Sequence, residues 1–165
     1  MSEGETESNK PDAVLEAFGF KIELVNGECV SGRFVVTERC CQPFKVLHGG
    51  VSALVSEGLA SMGAHIASGF QRIAGIELNI NHLRAAALGD HVYAQATPIV
   101  VGKRVQVWEV KLWKIPESIF SSKIDSSSLP DKSVMAVSRV TFLSGMQVPK
   151  SASGATDAIK RLAKL

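Results

Sequence analysis

The chain has 165 residues, of which 45% are hydrophobic and 21% charged, and its net charge at neutral pH is +2. This composition is typical of one globular domain with a substantial core. It lacks the basic stripe with stacking aromatics that nucleic-acid binding calls for. No apolar run reaches the roughly 20 residues that cross a bilayer. We therefore predict neither a nucleic-acid nor a membrane partner.

The chain opens with a polar, acidic stretch that lacks the apolar core of a signal peptide, so residues 1–12 are predicted to be a disordered lead. A short helix is predicted over 13–18. Strand-like runs follow over 20–25 and 28–36, and the Asn26-Gly27 pair between them is a strong hairpin signal. A loop is predicted over 38–47.

The three cysteines, Cys29, Cys40 and Cys41, form no disulfide framework. An odd count without regular spacing indicates reduced thiols, which pack as small apolar side chains. No second Cys/His cluster accompanies the adjacent pair, so no metal site is predicted.

The segment 48–68 is the most informative part of the sequence. Small and apolar residues recur on all sides of the predicted helix, and a helix that is apolar all round is buried. Glu57 is the only acidic or basic side chain, histidines aside, between Lys45 and Arg72. Burying a carboxylate without a cation costs several kcal/mol, roughly, unless something compensates. Glu57 is therefore the predicted catalytic group.

Strand-like runs follow the helix over 73–87, 91–101, 104–115 and 134–143. Tight turns at Gly89-Asp90 and Gly102-Lys103 separate the first three. The Ser-rich stretch 116–133 is predicted to be a long hairpin loop. Strands grouped after one long helix predict an α+β fold, with an antiparallel sheet wrapped around the helix or another subunit covering what the sheet leaves bare.

Four ordered segments carry a resemblance to a known family. They are His48-Gly49-Gly50 with Glu57 nine positions after the histidine, the run 75–82, the Gly-Lys-Arg turn and Gln-Val-Trp strand of 102–110, and Ser-Arg-Val-Thr at 138–141. Together they resemble the hotdog-fold acyl-CoA thioesterases of the 4-hydroxybenzoyl-CoA thioesterase type, whose catalytic Glu follows His-Gly-Gly. The resemblance covers roughly 18–143 and implies a hotdog domain over 13–145. The insert 116–133 departs from the family, which usually has a short turn there.

The resemblance implies a role for each residue around the helix. Glu57 attacks the thioester carbonyl or activates a water, and the sequence leaves both open. The N–H of Gly49 polarises the carbonyl, Ser61 holds Glu57 or the water, and Gln42 orients the thioester. Gly49 and Glu57 are two turns apart, about 11 Å. The family solves this by pairing subunits, so that Gly49 of one protomer faces Glu57 of its partner.

The resemblance also implies a substrate-binding set, with two histidines for the acyl end and three basic side chains for the CoA phosphates: His48, His82, Arg84, Lys103 and Arg104. His65 matches no family position and is predicted to be structural. His91 begins a strand and is predicted to be exposed. No cofactor is expected, because coenzyme A is part of the substrate.

The C-terminal tail is predicted over 146–165. Its last residues, Ala163-Lys164-Leu165, are similar to the Ser-Lys-Leu peroxisomal address. They predict peroxisomal localisation and an import receptor as partner. With this ending, the resemblance is strongest to the plant peroxisomal branch that acts on 1,4-dihydroxy-2-naphthoyl-CoA in phylloquinone biosynthesis.

The resemblance therefore implies hydrolysis of an aromatic acyl-CoA, with 1,4-dihydroxy-2-naphthoyl-CoA as the first candidate, by a homotetramer built from two hotdog dimers. A broader aryl- or fatty-acyl-CoA thioesterase and a non-catalytic acyl-CoA-binding module stay open as alternatives, since pocket shape sets acyl choice. A hydratase of the same fold would call for an Asp in the helix, and there is none.

Overall fold

A computed structural model describes residues 11–164, apart from the side chains of residues 153 and 155. It has three α-helices and six β-strands, joined by turns and short 3-10 segments. The helices are α1 (Ala13–Ala17), α2 (Gly49–Ala67) and α3 (Ser153–Leu162), and the strands are β1 (Lys21–Val25), β2 (Val30–Val35), β3 (Arg72–His82), β4 (His91–Val101), β5 (Val105–Ile115) and β6 (Val134–Met146).

The six strands form one antiparallel sheet in the order β1-β2-β4-β5-β6-β3. The alternating runs and tight turns of the sequence account for these pairings. β3 follows α2 directly in the chain but lies at an edge of the sheet. The predicted α+β architecture, a long helix against an antiparallel sheet, is confirmed.

Helix α2 packs against the inner face of the sheet. Gly63 faces the indole ring of Trp108. A Cβ on this glycine would overlap with the ring, since it would lie 3.1 Å from Cζ2 and closer still to two other ring atoms. Gln106 is fully buried and joins the two layers, because its amide donates to the Ala64 carbonyl at 3.0 Å and accepts from the Trp108 indole at 2.9 Å. The small residues of α2 thus let helix and sheet approach closely.

One stripe of α2 is left partly open by the sheet. Its members recur at helical spacing and are only half-buried: Ala53, Leu54, Glu57, Ser61, His65 and Ser68. Of the two predicted alternatives, complete wrapping by the sheet of one chain is therefore wrong, and cover by another subunit stays a prediction. The sheet of one protomer covers one side of a helix, and the stripe that contains Glu57 is free to meet another surface.

Strand β3 is shorter than predicted. The sequence suggested one strand over 73–87, but β3 ends at His82. The backbone N–H groups of Leu83 and Arg84 both donate to the carbonyl of Met135, at 2.8 and 3.1 Å, which turns the chain out of the ladder. Ala87 then forms an isolated bridge with Val46.

The insert 116–133 joins β5 to β6, as predicted, but it is not an open loop. It packs a second hydrophobic cluster on the outer face of the sheet, built on Tyr93, Trp113 and Ile115. Phe120 of the insert lies with its ring 4.5 Å from the ring of His91. The prediction that His91 is exposed is therefore wrong, since its side chain is partly covered by the insert.

Both ends of the described chain pack on the core. Residues 1–10 of the predicted disordered lead lie outside the described residues, but Asp12 caps α1 by accepting from the N–H groups of Val14 and Leu15 at 3.0 Å. The predicted tail contains α3, which buries Ala158 and sets Ile159 against the main core. Within the described part of the chain, no helix is both long and apolar enough to cross a membrane.

Candidate active site

Glu57 lies in the middle of α2, on the half-buried stripe. The side chain of Ser61, one turn further along the helix, lies beside its carboxyl group. Burial raises the pKa of the Glu57 carboxyl above its ordinary value, and the Ser61 hydroxyl opposes part of that rise by stabilising the carboxylate. The middle of α2 therefore holds a carboxylate that is more basic than one in water.

Strand β3 supplies the other wall around this carboxyl. A Cβ built on Gly75 would lie 3.3 Å from Cδ of Glu57 and would overlap with Oε1. Gly75 therefore leaves the room that the carboxyl group occupies. This residue was not predicted, although an isolated glycine inside a strand often marks a close approach of another group.

The N-terminus of α2 forms a second group of candidate residues. His48 is the N-cap, and its Nδ1 accepts from the Gly50 N–H at 2.8 Å. The neutral imidazole therefore carries its proton on Nε2. The ring of His82 lies against Gly49, where a Cβ would come within 3.1 Å of Nε2. Two imidazoles thus flank the first turn of α2, whose leading N–H groups have no partner within the helix.

Gln42 lies in the loop that leads into α2. Its side-chain oxygen accepts from the Phe44 N–H at 2.7 Å, and its own N–H donates to the Val46 carbonyl at 2.9 Å. This loop exposes 86% of Phe44. One lone pair of the Gln42 oxygen is therefore used locally, while the side-chain amide N–H groups stay available to a ligand.

The three basic candidates lie at opposite ends of the molecule. Arg84 follows His82 and donates to the Val134 carbonyl at 2.6 Å, near the N-terminus of α2. Lys103 and Arg104 line a cavity of 780 Å³ together with Ser68, at the C-terminal end of α2. One chain therefore does not gather all three around one ligand.

The single chain also keeps Gly49 apart from Glu57. They belong to one continuous helix, and the intervening two turns hold the helix N-terminus away from the carboxyl group. The predicted site residues thus form two half-sites, one around Glu57 and Ser61 and one around Gly49, His48 and His82. His65 belongs to neither half-site. Its Nδ1 bonds the Gln71 carbonyl at 2.8 Å, which agrees with the structural role predicted for it.

Among residues 11–164, no group of three or more His, Cys, Asp or Glu side chains is placed to hold a metal ion.

Comparison with known proteins identifies the family. A profile of the thioesterase superfamily matches residues 44–121. The chain is also 49% identical, over 152 residues, to 1,4-dihydroxy-2-naphthoyl-CoA thioesterase 2 of Arabidopsis thaliana, covering 92% of this chain and 91% of that protein. This chain belongs to the thioesterase superfamily. It is a thioester hydrolase, as the sequence predicted.

Two further relatives agree. A 1,4-dihydroxy-2-naphthoyl-CoA hydrolase of Listeria monocytogenes is 41% identical over 98 residues, which cover 59% of this chain and 79% of that protein. The solved structure of a thioesterase from Haemophilus influenzae superposes with a TM-score of 0.65 at 26% identity, covering 84% of this chain and 87% of that one. The predicted hotdog fold is confirmed.

Proposed function

We propose that this thioesterase hydrolyses 1,4-dihydroxy-2-naphthoyl-CoA to the free naphthoate and coenzyme A. The observation that carries this proposal is the 49% identity, over nearly the whole length of both chains, to an Arabidopsis protein named for that substrate. The Listeria relative bears a name for the same reaction.

Glu57 is the proposed catalytic residue. As a carboxylate it either attacks the thioester carbon, giving an anhydride and CoA thiolate before water releases the acid, or it removes a proton from the attacking water. Both routes need the ionised form. The hydroxyl of Ser61 stabilises that form, and the raised pKa makes it a better base than a free glutamate.

Gly49 is the proposed partner of Glu57 across a dimer interface. The first N–H groups of α2 carry positive partial charge, which suits an oxyanion that forms at the thioester carbonyl. The ring of His82 and the Nε2 proton of His48 stand beside that turn to hold the acyl end. Gln42 is proposed to orient the thioester through its amide N–H groups.

The surface of the chain supports this pairing. β3 is an edge strand of 11 residues with Ile76 54% exposed, and it lies directly beside the half-buried stripe of α2. An unpaired edge of this length is a template for strand pairing with a second copy. Two copies paired there in antiparallel fashion would bring Gly49 of one α2 toward the partner's Glu57. A tetramer of two such dimers is proposed on the family resemblance alone.

Lys103 and Arg104 are proposed to bind the phosphates of the CoA whose thioester meets Glu57 of the same chain. They lie beyond the C-terminal end of α2, about 15 Å from Glu57 along the helix axis. Arg84 lies at the other end and would serve the substrate held by the partner's Glu57. Arginine and lysine are suited to phosphate groups through charge-assisted hydrogen bonds.

Peroxisomal import is proposed on the C-terminal tripeptide, and a role in phylloquinone biosynthesis on the proposed substrate and the family resemblance. Ala163 caps α3 and Lys164 is exposed beside it, while Leu165 lies outside the described residues. An import receptor that reads this tripeptide is the proposed partner.

The test is thiol release from a panel of thioesters by the wild-type protein. The panel holds 1,4-dihydroxy-2-naphthoyl-CoA, benzoyl-CoA, 4-hydroxybenzoyl-CoA and a long-chain acyl-CoA. A kcat/KM that is highest for the naphthoyl ester supports the proposal. Equal values for all four esters would keep the thioesterase and reject the specific substrate. No release from any ester would overturn the proposal.

A further inference from the structure

A cavity of 410 Å³ opens beside Ser61, whose hydroxyl lowers the pKa of the Glu57 carboxyl group. Its inner wall belongs to α2 and the start of β3, including Ser61, His65 and Arg72. Its outer wall is formed by the segment 148–159 and includes Ala152 and Thr156. That segment lies beyond the part of the chain that matches the family profile, which ends at residue 121.

The cavity lies along α2, between the Glu57 carboxylate and the turn that carries Lys103 and Arg104, which we call the basic turn. Glu57, Ser61, His65 and Ser68 follow one another at spacings of four, four and three residues, so they form a single stripe along α2. Ser68 lines the neighbouring cavity that contains Lys103 and Arg104, whereas Ser61 and His65 line this one. A ligand that follows this stripe from Lys103 and Arg104 to Glu57 passes the 410 Å³ cavity at His65 and Ser61.

Side-chain contacts hold the outer wall of the cavity against α2 and the turn that follows it. The Thr156 hydroxyl is 3.3 Å from Nε2 of His65, while Nδ1 of the same ring is 2.8 Å from the Gln71 carbonyl. The ammonium group of Lys160 lies 5.0 Å from the centre of the Phe70 ring. Ala158, on α3 itself, is buried. His65 therefore positions the C-terminal segment over the cavity, a use for it that the sequence did not suggest.

The chemistry of the lining suits a chain of methylene and amide groups. Met62, Ile73 and Val148 provide apolar contacts, and Thr156 and Arg72 provide hydrogen-bonding groups. Arg72 is exposed and forms no ion pair with any residue in the range 11–164, so its guanidinium donors are available to a ligand. The pantetheine arm of CoA has this alternation of apolar and amide groups and joins the phosphates to the thioester.

We propose that the C-terminal segment 148–159 is the outer wall of a channel that holds the pantetheine arm of the acyl-CoA between the basic turn and Glu57. This inference rests on the proposed function, because it takes the phosphates to lie at Lys103 and Arg104 and the thioester at Glu57. The tail of this chain is then part of its substrate site as well as the carrier of the C-terminal tripeptide.

The test replaces Ala152 by tryptophan. Ala152 lines the cavity and is exposed, so the indole can fill the channel without disturbing the core. Ser151→Trp is the matched control, because Ser151 is an exposed neighbour in the same 3-10 turn that does not line the cavity. Each variant is assayed with the CoA ester of the acyl group that the wild type prefers and with the N-acetylcysteamine thioester of that group, which lacks most of the arm.

Ala152→Trp is expected to raise the KM for the CoA ester about tenfold or more and to leave the KM for the short thioester unchanged. Arg72→Ala, which adds no bulk, is expected to show the same pattern. Ser151→Trp is expected to match the wild type on both substrates. Equal KM changes on both thioesters would assign the cavity to the acyl group instead, and no change on either would reject the channel. A wild-type protein that is inactive on every CoA ester would contradict the proposed function. An active wild type whose variants have unchanged KM values would contradict only the channel.

Discussion

The carboxyl group of Glu57 lies directly against Gly75, so closely that a methyl group on this glycine would overlap with Oε1. Glu57 comes from the central helix and Gly75 from the edge strand β3. The packing of these two elements, and not only the rotamer of the side chain, therefore fixes where the carboxylate stands. The other contact, from Ser61, comes from the helix itself.

Replacing Gly75 by alanine is expected to lower kcat sharply. The added Cβ must displace the Glu57 carboxyl group, and a shift of about 1 Å in a catalytic group can cost about 100-fold in rate. Gly154→Ala is the control, because a Cβ there meets nothing within 4 Å. Steady-state kinetics and thermal unfolding of both variants are the measurements. A Gly75→Ala protein with wild-type kcat would show that the position of Glu57 does not limit the rate.

The pH dependence of kcat/KM is expected to report the ionisation of Glu57. Since catalysis needs the carboxylate, activity should rise with pH through a pKa that burial has moved above the ordinary glutamate value. Ser61→Ala removes the interaction that lowers this pKa, so the acid limb should move to still higher pH. The measurement is the pH profile of both proteins. A limb that stays in place, or moves to lower pH, would contradict the assignment of Ser61.

Mixing two inactive proteins is expected to restore activity if the site is shared between subunits. Glu57→Gln removes the carboxylate, and Gly49→Val drives a side chain into the ring of His82. When the two variants exchange subunits at equal ratio, half of the dimers are mixed and each has one intact site, so about a quarter of wild-type activity should return. Size-exclusion chromatography establishes that each variant still assembles. Assembled mixtures that stay inactive would argue for a site within one chain.

The packed conformation of the insert 116–133 is expected to depend on Arg33. This side chain is buried with 6% exposure, donates to the carbonyls of Ile119, Phe120 and Ser122, and bonds Glu23 at 2.7 Å. Arg33→Met leaves those carbonyls without a charged donor, which should lower the free energy of unfolding by about 2 kcal/mol and make the insert sensitive to protease.

Lys111→Met is the control for that experiment, since its ion pair with Glu109 lies at the surface and should contribute less than about 1 kcal/mol. The measurements are urea unfolding and limited proteolysis. Equal stability and equal cleavage of the two variants would show that the hydrophobic cluster around Trp113 holds the insert without Arg33.

Local patterns were sufficient to predict much of this fold. The alternation of apolar and polar residues and the Gly-containing turns located five of the six strands to within a few residues, and the His48 cap located the start of α2. Glu57 was predicted to be catalytic because no other acidic or basic side chain accompanies it in an apolar helix. That signal lies in the local sequence and requires no knowledge of the tertiary structure.

Features that depend on distant packing were not predicted. The Ser-rich insert contains few apolar residues, so nothing local indicated that Phe120 would cover His91 or that Arg33, almost ninety positions earlier, would hold it. The same holds for Gly75, whose role is visible only once β3 lies beside α2. The packing of α3 on the core likewise joins residues far apart in the chain, as the contact between Thr156 and His65 shows.

The most direct test of the account is thiol release from 1,4-dihydroxy-2-naphthoyl-CoA by the wild type and by Glu57→Gln, which keeps the shape of the side chain and removes its charge. Folding is compared by circular dichroism and assembly by size-exclusion chromatography. We expect Glu57→Gln to fold and assemble normally and to lose about a thousandfold or more in kcat, since the group that attacks or activates water is gone. A folded Glu57→Gln protein that keeps wild-type turnover would contradict the central claim that Glu57 performs the hydrolysis.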